Sequence, residues 1–115
     1  MKWSLIFVLL ATAGRADPAE VFGVELERTG ESWRVSVTVA HPDEGWDHYA
    51  DAWEVLAPDG TSLGLRELLH PHVDEQPFTR SLSGVAIPDG VDEIIVRARC
   101  SVDGWTGDAV TVPVE

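Results

Sequence analysis

Cysteine is nearly missing from this chain. Its 115 residues hold one, Cys100, which excludes an internal disulfide and any Cys-x-x-Cys metal ribbon. Stability must therefore come from packed apolar residues. Lysine occurs once, at Lys2, methionine once, at Met1, and tyrosine once, at Tyr49. A Met-rich copper tract, and a blue-copper Cys and His cluster ahead of a Met, are thereby excluded. Basic residues number eight against twenty acidic ones, for a formal charge of −12. Such a field repels nucleic acid and anionic lipid and favours cations or basic partners. Enzyme signatures are missing too: there is no Gly-x-Ser-x-Gly, no phosphate-cradling glycine loop and no His-Glu-x-x-His. The adjacent acids and bases Asp47 with His48, and Asp74 with Glu75, do not make an acid–base site by adjacency alone.

The longest apolar run, Leu5 to Leu10, is about half of what spans a bilayer. It follows Lys2 and precedes small residues, with Gly14 and Ala16 three and one positions before Asp17. Residues 1–16 are expected to be a cleavable signal peptide, with a second cut before Gly14 as an alternative and an uncleaved anchor as the contrasting case. The leader carries no cysteine for lipid attachment. After cleavage, six arginines stand against twenty carboxylates, a formal charge of −14. The expected product is one periplasmic or secreted domain over residues 17–115, with no stable membrane insertion.

What is present is alternation with period two. Trp33, Val35, Val37 and Val39 alternate with Arg34, Ser36 and Thr38; Ile94, Val96, Ala98 and Cys100 alternate with Ile95, Arg97 and Arg99. Each series makes a half-buried strand. Val24 and Leu26, Trp53 and Val55, and Val110, Val112 and Val114 extend the pattern. Turn signals separate the runs: Thr29-Gly30-Glu31, Pro58-Asp59-Gly60 and Pro88-Asp89-Gly90. Strands are predicted near 21–28, 32–40, 51–57, 62–68, 78–86, 93–100 and 109–114, with at most one helical turn at Glu67–Leu69. The fold class is all-β, a seven-stranded antiparallel sandwich.

The strand, Gly-rich loop and strand of residues 93–114 resemble the end of a fibronectin type III or immunoglobulin-like domain. The tyrosine corner of that family is missing, since Tyr49 lies far upstream, and a transthyretin-like sandwich is the alternative. GWDHYADAWEV (45–55) and HPHVDEQPFTRSLSG (70–84) are similar to segments of a group of small exported bacterial proteins of unassigned function. That resemblance implies no activity.

In an antiparallel sandwich the connections alternate between the two ends. The short ones share one pole; the long ones, near 41–50, 69–77 and 101–108, share the other. All four histidines fall on the long-loop pole, with Trp46, Tyr49, Asp47 and Trp105. Long loops on a rigid scaffold are where binding is expected. The leading expectation is a non-enzymatic binding module for an unidentified protein or small ligand, using Trp46, Tyr49, Asp47 and Trp105, with Trp105 as the exposed ring. A glycoside-acting enzyme is a distant third. The alternative is a periplasmic copper or zinc protein. His70-Pro71-His72 places two imidazoles on one side of an extended chain, with His48 or His41 as further ligands, and Asp47 or Cys100 behind them. The contrasting expectation is loop histidines bonded to nearby carboxylates. The acids Asp43, Glu44, Asp47 and Asp51 offer oxygen for calcium, without EF-hand spacing. Arg80, Arg97 and Arg99 are expected as sheet-surface partners of acids, with Glu54 across from Arg97 or Arg99.

Overall fold

The computed structural model describes residues 18–114; the expected signal peptide lies outside the described residues. Seven strands follow one another: β1 (Glu20–Thr29), β2 (Ser32–Ala40), β3 (Ala50–Leu56), β4 (Ser62–Glu67), β5 (Phe78–Val85), β6 (Glu93–Cys100) and β7 (Val110–Pro113). No helix occurs among the described residues. β4 runs to Glu67, and Leu68 then turns into the core, so no helical turn forms there.

Two antiparallel sheets carry these strands, in the orders β1-β2-β5 and β4-β3-β6-β7. The protein is thus an all-β sandwich. Period-two alternation puts Trp33, Val35, Val37 and Val39 of β2 against Ile94, Val96, Ala98 and Cys100 of β6, all buried. Trp53 and Val55 join them from β3. A bulge between Ala50 and Ala52 keeps Ala50 inside while Asp51 accepts a 2.8 Å hydrogen bond from Arg99 Nε. Glu54 stands opposite Arg97 and accepts from its Nε and Nη2, at 3.1 and 2.7 Å. On the outer face of the other sheet, Ser36 meets Ser81 and Thr38 meets Thr79, each at 2.8 Å.

The short connections at 30–31, 57–61 and 86–92 lie at one pole, and those at 41–49, 68–77 and 101–109 at the other. The long loops are bound to one another. Ser101 N–H donates to the Tyr49 carbonyl at 2.8 Å, and Tyr49 N–H returns a bond to Ser101 Oγ at 3.0 Å. Gly107 lies so close to Ala19 that a Cβ there would sit 2.2 Å from the Ala19 carbonyl oxygen, so only glycine lets this loop close onto the start of the first sheet.

Two tryptophans test this division between core and pole. Trp53 is fully buried, whereas Trp46 is 67% exposed. Trp53→Ala is expected to lower the unfolding free energy by about 3–5 kcal/mol, and Trp46→Ala by no more than about 0.5 kcal/mol. Urea denaturation of both variants checks the contrast.

Candidate functional site

The inward parity of β2 continues one step beyond its end. His41 follows Val39 on the core side and is buried, and Cys100 closes the inward series of β6 at the same pole. His48 comes back over them from a tight loop, in which Glu44 N–H bonds the His48 carbonyl at 2.8 Å and His48 N–H bonds Gly45 O at 3.2 Å. The rings of His41 and His48 meet edge to face, with centroids 4.9 Å apart. One donor atom from each of His41, His48 and Cys100 lies within 4.8 Å of the other two.

Both imidazoles are held from behind. His41 Nδ1 lies 2.7 Å from Asp43 Oδ1, and His48 Nδ1 lies 3.3 Å from Glu44 Oε1. Their other nitrogens, His41 Nε2 and His48 Nε2, are buried and make no hydrogen bond. A buried polar atom left without a partner costs roughly 1–3 kcal/mol. Asp103 borders the cluster, with Oδ2 3.7 Å from His48 Nε2 and 3.8 Å from Cys100 Sγ. At 3.7 Å the first contact is too long for a hydrogen bond. The turn carrying Asp103 is closed by paired backbone bonds between Cys100 and Gly104, and Gly104 takes the positive φ of 72° that this turn needs. Burial pushes the Cys100 thiol up, against hydrogen bonds from the Asp103 and Val102 backbone that favour the thiolate. The Val102 N–H reaches Sγ at 3.4 Å.

The other two histidines form a separate pair. His70 and His72 have ring centroids 4.6 Å apart, and His72 stacks on Phe78 at 3.8 Å. His72 Nε2 accepts from Arg80 Nη2 at 2.9 Å, and its Nδ1 lies 4.0 Å from Asp43 Oδ2. The structure therefore brings His41 and His48 together with Cys100, and engages His72 with an arginine. Of the acidic set Asp43, Glu44, Asp47 and Asp51, the first is buried against His41 and the last is paired with Arg99, while Glu44 and Asp47 are exposed.

The aromatic expectation is reversed. Trp105 is half-buried, its ring covered by the guanidiniums of Arg97 at 4.2 Å and Arg99 at 5.3 Å. Trp46 is the exposed ring, edge-on to the half-buried Tyr49 at 5.7 Å. Gly104 and Gly107 leave Trp105 little local packing, but the adjacent strand β6 supplies two cations to its face. The grouping of His41 with Cys100 was missed as well. Its signal is the alternation of each strand carried to its last inward residue.

Burial holds His72 below the ordinary value of 6.5, with Arg80 and then His70 pushing the same way against Asp43 and Glu75. The unfolded chain thus takes up a proton that the folded one resists. Stability from this group is full above pH 6.5 and falls as pH drops through 6.5 towards the folded midpoint. NMR titration is expected to place the His72 ring midpoint below 6.5; a midpoint at or above that value contradicts this reading.

No family model matches the chain. A protein of Halomicrobium mukohataei described as "Putative lipoprotein" is 36% identical over 115 residues, covering 90% of this chain and 56% of the relative. The chain thus spans little more than half the length of the curated relative it matches, and the relative's name carries no enzymatic activity. Among solved structures, the crystal structure of superoxide reductase in the oxidized state is similar with a TM-score of 0.45 and 17% identity, over 85% of this chain and 90% of that one. A likeness that distant transfers no chemistry.

Proposed function

We propose that this domain is an exported, non-enzymatic metal-binding module, whose centre is formed by His41, His48 and Cys100 at the long-loop pole. The observation that carries the reading is the pair of buried, unbonded imidazole nitrogens grouped with a buried thiol. A metal satisfies both nitrogens at once, replacing two desolvated orphans with coordinate bonds, and takes the thiol as a thiolate in place of its long contact to Asp103. Two imidazoles and a thiolate suit zinc or copper. Asp103, at the edge of the cluster, supplies an oxygen for a fourth position. Zinc with bonds of about 2.0–2.3 Å keeps its donors roughly 3–4 Å apart, so the cluster must contract by roughly 1 Å on loading. The apolar leader segment and the lipoprotein description of the relative support export.

A second reading is favoured by one feature. The exposed Trp46 borders an open cleft of about 520 Å³ together with His70, Val73 and Asp74. That surface suits contact with a protein or a small ligand.

Titration of the domain with zinc, copper and cobalt, followed by thermal melting, tests the metal reading. Binding of one equivalent is expected, raising the midpoint on the order of 10 °C at hundredfold excess over Kd. His41→Ala, His48→Ala and Cys100→Ser should each abolish that rise, and His70→Ala should keep it. A midpoint that no metal moves would refute the proposal.

A further inference from the structure

We infer that Asp43 is a positioning residue for this centre, holding the His41 ring in the tautomer that leaves Nε2 open to a metal; the inference rests on the metal reading. Asp43 has no exposed side-chain surface. Its Oδ1 lies 2.7 Å from His41 Nδ1 and accepts from Ala50 N–H at 3.0 Å, while Oδ2 accepts from His72 N–H at 2.7 Å. The two backbone donors come from β3 and from the 68–77 loop, and they fix the plane of the carboxylate. A carboxylate only accepts, so the ring nitrogen facing it must donate. The hydrogen then sits on Nδ1, which leaves the lone pair on the buried, unbonded Nε2. A carboxylate behind a metal-binding imidazole fixes the ring and raises its basicity.

Neighbouring bonds tighten the same arrangement. His41 N–H donates to Gln76 Oε1 at 2.9 Å, and Gln76 Nε2 donates to the His72 carbonyl at 2.9 Å. The loop bearing His72 thus clamps the backbone of His41 as Asp43 clamps its ring. His48 has no comparable support, because its partner Glu44 is 67% exposed and sits 3.3 Å away. The two imidazoles are therefore unequal: His41 is preset, whereas His48 closes onto the metal.

The test combines nitrogen NMR of the metal-free domain with cobalt titration of the wild type, Asp43→Ala and Asp43→Asn. Wild-type His41 is expected to carry its hydrogen on Nδ1, and Asp43→Ala to move it to Nε2. Cobalt affinity is expected to fall about 10- to 100-fold in Asp43→Ala, with thiolate-to-cobalt absorption retained because every donor remains. In Asp43→Asn two backbone donors compete for one oxygen, so affinity should fall about 10-fold. A hydrogen on Nε2 in the wild type overturns the inference, as does wild-type affinity in either folded variant. A purely structural Asp43 would lower the melting midpoint and leave tautomer and affinity unmoved. Failure of the wild type to bind any cobalt would instead refute the metal reading and with it the positioning role, while the tautomer result would still decide whether Asp43 sets the His41 ring.

Discussion

Each strand of this sandwich runs opposite to the one before it, so every second connection returns to the same end of the molecule. Everything at the candidate site depends on that reversal. It delivers the ends of β2 and β6 to one pole with their inward faces towards each other, and it brings the loops 41–49, 68–77 and 101–109 over them. The opposite pole is closed by tight turns and holds none of the histidines. The inward faces of both strands end at the long-loop pole. There the inward series of Trp33, Val35, Val37 and Val39 passes into His41, and that of Ile94, Val96 and Ala98 into Cys100.

Polar groups placed where apolar ones end must be satisfied by their surroundings. Asp43 shows how tightly the pole meets that demand, since its buried oxygens receive donors from three segments of the chain. Against that background the unbonded Nε2 atoms of His41 and His48 stand out. Trp53 Nε1 and His72 Nδ1 are also buried without hydrogen bonds, but the first sits in the apolar core and the second lies 4.0 Å from Asp43 Oδ2. Among the described residues, only the two imidazoles of the cluster combine a buried, unbonded nitrogen with a thiol close by. The acidic composition makes the surroundings favourable to a cation.

The strands were legible because burial of one face imposes alternation, and the bounds read from Trp33 to Val39 and from Ile94 to Cys100 hold to within a residue. The pairing of Glu54 with Arg97 was legible for the same reason, once β3 and β6 are neighbours. The gathering of the histidines at one pole followed from counting strands. Which of them meet did not follow, because local spacing is a poor guide in a loop. His70-Pro71-His72 has the spacing of a ligand pair, yet His72 is drawn against Phe78 and Arg80 by the 68–77 loop. His41 and Cys100 are 59 positions apart in sequence and meet because their strands face each other across the core. The surroundings of Trp105 depended equally on a neighbour, the arginine ladder of β6.

The most direct measurement is X-ray absorption spectroscopy of the domain loaded with one equivalent of zinc. The account predicts one sulfur at about 2.3 Å and two imidazole nitrogens at about 2.0–2.1 Å, with the remaining position filled by oxygen. A zinc shell of nitrogen and oxygen alone, with no sulfur, would contradict it.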